Sequence, residues 1–141
     1  MTDAEFPAPA AGFVLTHFLV VADQDRSREF YRTVFGATVA LDRDPVILQL
    51  ANSWLILNEG GGPTDDKPSV TLAPPTDPYH ASAFLNIRVA DIAAVYADWS
   101  ARGAEFLTEP KVHTHEIRAY IRDPDGHLIE VGQTTRRPGA S

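Results

Sequence analysis

The stretch Tyr120-Ile121-Arg122-Asp123-Pro124-Asp125-Gly126-His127-Leu128-Ile129-Glu130-Val131 decides how this chain is read. An alternating run enters a turn and a second alternating run leaves it, which predicts a β-hairpin. Pro124 fixes φ at the first corner position, and Gly126 takes positive φ without a Cβ clash. Glu130 falls in phase with Leu128 and out of phase with Ile129 and Val131. A lone carboxylate inside an apolar strand is either solvent-facing or a deliberately buried charge.

Upstream of the hairpin, residues 84–89 read as a strand, Asp91 as a helix N-cap, and residues 92–102 as a helix with Val95, Tyr96 and Trp99 inward and Gly103 as its stop. The same order occurs earlier. Residues 13–21 (FVLTHFLVV) read as a strand, Asp23 as an N-cap, and residues 26–35 as a helix carrying Phe30, Tyr31, Val34 and Phe35, closed by Gly36. Short strands follow at 37–41, 46–50 and 54–57, with a turn at Asn52-Ser53. Val21-Ala22-Asp23 matches Val89-Ala90-Asp91 at an offset of 68, and Gly36-Ala37 matches Gly103-Ala104 at 67. A strand, a helix and three strands, used twice, is an internal duplication with a period too long for a solenoid. Neither copy has enough core alone, so the two are expected to pair into one joint sheet rather than stand as separate domains.

Between the copies, residues 59–81 hold Gly60-Gly61-Gly62-Pro63, Pro68, Pro74-Pro75 and Pro78, the composition of a connector. The triple glycine lacks the Lys-Ser/Thr and following helix of a phosphate loop. Residues 1–12 and 134–141 read as flexible tails, and residues 13–133 as the folded domain, with modules 13–58 and 82–133.

Composition narrows the function classes. The chain of 141 residues carries net charge -7, which argues against binding nucleic acid or an anionic membrane through bulk electrostatics. It has no cysteine, hence no disulfide, thiolate nucleophile or zinc-thiolate site. No segment reaches the roughly 18 continuous apolar residues of a membrane span, and the start lacks a signal-peptide pattern, so a cytoplasmic protein is expected.

The duplicated βαβββ unit, "HFLVVAD…RSREFYRTVFGA" in the first copy and "RDPDGHLIEV" in the second, resembles the glyoxalase / bleomycin-resistance / extradiol-dioxygenase superfamily, also called the vicinal oxygen chelate group. The likeness covers roughly residues 13–133. It implies an α+β fold in which two modules form a curved mixed-sheet cup with helices outside, commonly as a homodimer. It also implies metal ligands on the first and last strands, pointing into the cup. Counting from the Val-x-Asp at each strand end puts these positions at Thr16, Ile56, Phe84 and Glu130. Only Glu130 binds a metal well, so no metal cofactor is expected. His17 stands one residue from the right place, on the opposite face unless a bulge restores the register; a divalent metal, if present, would use Glu130 and His17. His113-Thr114-His115-Glu116 reads as a loop near the cup mouth rather than a metal cluster.

If alternation holds, the candidate ligand-binding set is Phe18, Trp54, Asn58, Phe84, Asn86, Arg88, Arg118, Tyr120 and Glu130, alongside Thr16, Val20, Ile56 and Leu128. Aromatic walls with a few polar groups suit a small-molecule pocket, although Phe18, Trp54, Ile56 and Phe84 also suit a filled core. Glu130 has three readings: a cross-strand ion pair with Arg118, an orienting partner for Arg118 as a ligand anchor, or a desolvated general base and so a catalytic residue. The functional expectation is a small-molecule-binding protein without the usual metal. The alternative is a metal-dependent lyase, isomerase or dioxygenase acting on a small oxygenated metabolite, and a regulatory protein with a filled cup is the third. Arg88 and Arg118 favour an anionic ligand.

Overall fold

The computed structural model describes residues 6–139. The ends of the two expected tails, residues 1–5 and 140–141, lie outside the described residues. The chain divides into two compact units, one ending at Thr76 and the other beginning at Asp77. Each is a four-stranded mixed sheet with one helix, so the duplicated βαβββ fold read from the sequence is the fold observed, but the strands of each copy pair among themselves as two sheets rather than as the one joint sheet expected.

In the first unit, β1 (His17–Val20) leads into α1 (Gln24–Phe35), then β2 (Thr38–Leu41), β3 (Val46–Leu50) and β4 (Ser53–Asn58), in the sheet order β1-β4-β3-β2. Asp23 caps α1 by accepting from the Arg26 amide, and Gly36 closes it in the left-handed region at φ 75°. The inward stripe of α1 holds Tyr31 and Val34, both buried, with Gln24 and Ser27. The helix packs on β2, β3 and β4, against a face made by Leu19, Val46, Leu48, Leu55 and Leu57.

The strand expected from residue 13 begins only at His17. Pairing with β4 starts at His17–Leu55, and the preceding Phe13 and Leu15 are 92% and 86% exposed. A β-branched and aromatic run has strand propensity, but without a neighbouring ladder it forms none.

The second unit repeats the plan. β5 (Leu85–Arg88) leads into α2 (Ile92–Ala101), capped by the Asp91 side chain on the Ala94 amide. Then come β6 (Lys111–Val112), β7 (Glu116–Arg122) and β8 (Leu128–Thr134), in the order β5-β8-β7-β6. The core face here is Ala119, Ile121, Ile129 and Val131 with Ile92 of α2. The Asp123–Gly126 hairpin forms as read. Asp123 is buried, its carboxylate accepts from the Asp125 and His127 amides, and Gly126 takes φ 91°. Thr134, placed in the tail by the sequence, is the last residue of β8.

The connector is more ordered than its composition suggests. Gly61 and Leu72 exchange backbone hydrogen bonds of 2.9 and 2.8 Å, with a second bridge at Thr64–Lys67, so the segment folds back as a small hairpin of the first unit. Gly60 permits this, because a Cβ there would lie 1.9 Å from the Leu72 carbonyl oxygen. Gly60→Ala is therefore expected to open the connector hairpin, at a cost of about 1–3 kcal/mol. Limited proteolysis should then cut between residues 61 and 72 faster than in wild type, and equal cutting rates would contradict the assignment.

Candidate functional site

β8 is a central strand of the second sheet, and its side chains alternate between two faces. Ile129 and Val131 go to the core face. Glu130 goes to the other, yet it is only 6% exposed. Of the two readings of Glu130, the buried charge is the one observed.

The strand register arranges that face in rows. Asn86, Glu130 and Tyr120 are neighbours across β5, β8 and β7; Arg88, Gly132 and Arg118 form the next row, and Thr134 pairs with Glu116 beyond it. Glu130 accepts a hydrogen bond from Asn86 Nδ2 at 3.1 Å and lies 4.0 Å from Arg88 Nη1. The cross-strand pair with Arg118 does not form. Tyr120, not Arg118, is opposite Glu130, and Arg118 turns to Glu116 at 3.4 Å.

Arg88 crosses the sheet instead. Its Nη1 donates to Glu116 Oε1 at 2.9 Å and its Nη2 to Thr134 Oγ1 at 3.0 Å. It can do so because position 132 is glycine. A Cβ there would lie 2.0 Å from Arg88 Nη1 and 3.0 Å from Glu116 Oε1. Glu116 thus bridges two guanidinium groups, one on each carboxylate oxygen. The Arg88 hydrogen bond, with Arg118 adding to it, holds the Glu116 carboxyl below the usual carboxylate range despite partial desolvation. Phe84 and Tyr120 supply an aromatic edge to the face, their rings meeting edge-on at 6.3 Å.

Glu116, Gly132 and Thr134 were missed in the sequence as site residues. The signal was present: Glu116 is in strand phase with Arg118, and Gly132 and Thr134 with Glu130.

The first unit treats the remaining candidates differently. Phe18 pairs with Ile56 and Trp54 with Gln49, on the face away from α1, and Phe18 is 47% exposed. Asn58 is engaged internally, its Oδ1 accepting from Gln24 Nε2 at 3.2 Å and from the Glu59 amide at 2.9 Å. Gln24, only 1% exposed, also donates to Glu59 Oε2 at 2.7 Å and to Asp44 Oδ1 at 3.2 Å, and accepts from the Asp44 amide at 2.9 Å. It ties the start of α1 to the β2–β3 turn and the end of β4. His17 is in unbroken register with Leu55, and so in phase with the buried Leu19 rather than with Phe18. No bulge in β1 turns it to the other face. His113 to Glu116 forms the tight β6–β7 turn, closed by the His113 amide on the Glu116 carbonyl at 2.7 Å.

A family model described as Glyoxalase/Bleomycin resistance protein/Dioxygenase superfamily matches residues 13–131. The chain belongs to that superfamily. It is 31% identical over 114 residues to the metallothiol transferase FosB of Shouchella clausii (strain KSM-K16), covering 79% of this chain and 73% of that one. Among solved structures it is similar to a glyoxalase/bleomycin resistance protein/dioxygenase from Nocardioides, at TM-score 0.72 and 19% identity, covering 95% of this chain and 92% of that one. It is also similar to TnmS3, an antibiotic binding protein from Streptomyces sp. CB03234, at TM-score 0.64 and 22% identity, covering 91% and 100%.

The donor set for the superfamily's metal does not fit in this chain. Of the counted positions Thr16, Ile56, Phe84 and Glu130, only Glu130 is a strong ligand, and Asn86 and Arg88 already engage it. Among the described residues no group of three or more His, Cys, Asp or Glu could hold a metal ion.

Glu116 carries a testable pH dependence. Its folded-state pKa is depressed, so it stabilises the fold above the unfolded-state carboxylate pKa, and this is lost as pH falls through the lower folded-state value. Glu116→Gln should be less stable than wild type by about 1 kcal/mol at neutral pH. The gap should close in acid. Urea unfolding between neutral and acidic pH measures it, and a gap independent of pH would contradict the pairing.

Proposed function

We propose that the protein binds a small anionic organic molecule on the face of the second sheet, without the superfamily's usual metal. One observation carries this reading: Arg88 and Arg118 share a sheet face with Tyr120 and the Phe84 ring packed on it, and Phe84 stands at a position counted as one of the superfamily's metal-ligand positions. The ligand set is Phe84, Asn86, Arg88, Arg118, Tyr120 and Glu130, all of the second unit. Glu130 orients Asn86 and Arg88 rather than acting as a base, because both of its oxygens have a partner nearby. TnmS3, by its name an antibiotic binder, supports a binding role for the fold.

A second reading is a metal-dependent lyase, isomerase or dioxygenase acting on a small oxygenated metabolite. The 31% identity to a protein named a metallothiol transferase favours it. Elemental analysis of protein purified without chelator separates the two. Far less than one transition metal per chain, with melting temperature and ligand affinity unchanged in EDTA, is the expected result. About one equivalent per chain, lost with function in EDTA, would overturn the proposal.

In the same reading the protein is a cytoplasmic homodimer. No helix among the described residues is long and apolar enough to cross a membrane, and the exposed Phe13 and Leu15 suit contact with a second copy. Sedimentation at the mass of a single chain would remove the dimer from it.

A further inference from the structure

The acidic groups of the second sheet's open face are more fully engaged than its basic ones. Both oxygens of Glu116 are taken by guanidinium groups, and Glu130 is held by Asn86 with Arg88 close by. A guanidinium has five N–H donors. Arg88 spends two, on Glu116 and Thr134, and Arg118 spends one, on Glu116. Both side chains remain reachable, at 43% and 35% exposed. The glycine at 132 fixes where the spare donors sit, since any side chain there would displace the Arg88 guanidinium from the strand surface.

Charge and spacing select the ligand. Arg88 and Arg118 against Glu116 and Glu130 make a formally neutral cluster. A monoanion adds one negative charge to it, whereas a dianionic phosphate adds two, close to a buried carboxylate. A planar carboxylate also matches the guanidinium fork. Tyr120 is two residues along β7 from Arg118, so the two Cα atoms lie about 7 Å apart on one face. Phe84 and Tyr120 offer ring edges to a flat apolar body at that distance.

We infer that this face takes an aryl-alkanoic acid, a monocarboxylate whose aromatic ring lies against Phe84 and Tyr120 while Arg118 and Arg88 hold its carboxylate, and that Gly132 determines this specificity by leaving room for Arg88. The inference rests on the metal-independent binding proposed above and adds the ligand class and the glycine's role to it.

The test is isothermal titration calorimetry on the full chain in EDTA, with 3-phenylpropanoate, its neutral amide 3-phenylpropanamide, and phenylphosphonate. Saturable binding of the acid, at least tenfold tighter than the amide and the phosphonate, is expected. Arg118→Ala should weaken the acid at least tenfold and leave the amide unchanged. Gly132→Ala should do the same, because its methyl group meets the end of a flexible side chain, so the fold survives while Arg88 is pushed aside. Melting curves of both variants establish that they are folded, and Arg118→Lys, which keeps the charge without the fork, should fall between Ala and wild type.

Equal affinity for acid and amide, or an Arg118→Ala variant that binds the acid like wild type, would overturn the inference. So would tighter binding of the phosphonate. If neutral ligands bind in EDTA and the acid does not, the inference fails while metal-independent binding stands. If no probe binds until a divalent metal is restored, the underlying reading fails with it.

Discussion

A carboxylate buried in a central strand costs several kcal/mol unless its surroundings compensate it, and Glu130 sets that condition on the whole second sheet. The compensation spans the ladder: Asn86 from β5 donates directly, Arg88 lies two residues further on, and Glu116 at the start of β7 steadies Arg88 from the far side. Each participant depends on the next. Without glycine at 132 the guanidinium could not cross β8, and Arg88 would be drawn away from both carboxylates. Polar groups linked in this way specify one arrangement of the face, since a half-satisfied network costs more than an apolar surface.

The duplication makes the contrast between the two units informative. Both place the first strand parallel to the last with the same order of strands, so Phe18–Ile56 and Asn86–Glu130 occupy equivalent rows, as do Val20–Asn58 and Arg88–Gly132. One backbone plan therefore carries an apolar row in the first unit and an ionic one in the second. Superfamily membership accounts for the shared plan, and the chemistry of each face follows from the side chains alone. A buried polar hub of the first unit, Gln24, binds the Asp44 turn and Glu59 to the start of α1.

Much of the fold was legible because its signals are local. Asp23 and Asp91 cap helices wherever the chain folds, since a side-chain oxygen reaches an amide three residues on. Asp123-Pro124-Asp125-Gly126 dictates a hairpin through φ restrictions and an Asx turn. The strand face of Glu130 followed from a period of two. The misreadings lay where neighbours matter: residues 13–16 had strand composition and no partner, and the connector had turn composition but found one in Leu72.

The sequence by itself determined two βαβββ copies, their caps and turns, and the face on which Glu130 lies. Only the tertiary structure decided that Glu130 is buried, that Asn86 and Arg88 rather than Arg118 attend it, and that Glu116 and Gly132 take part in the same polar network. The physical reason is reach. Alternation assigns a side chain to a face, but which groups meet there depends on strand register and on the length of an arginine free to cross a glycine.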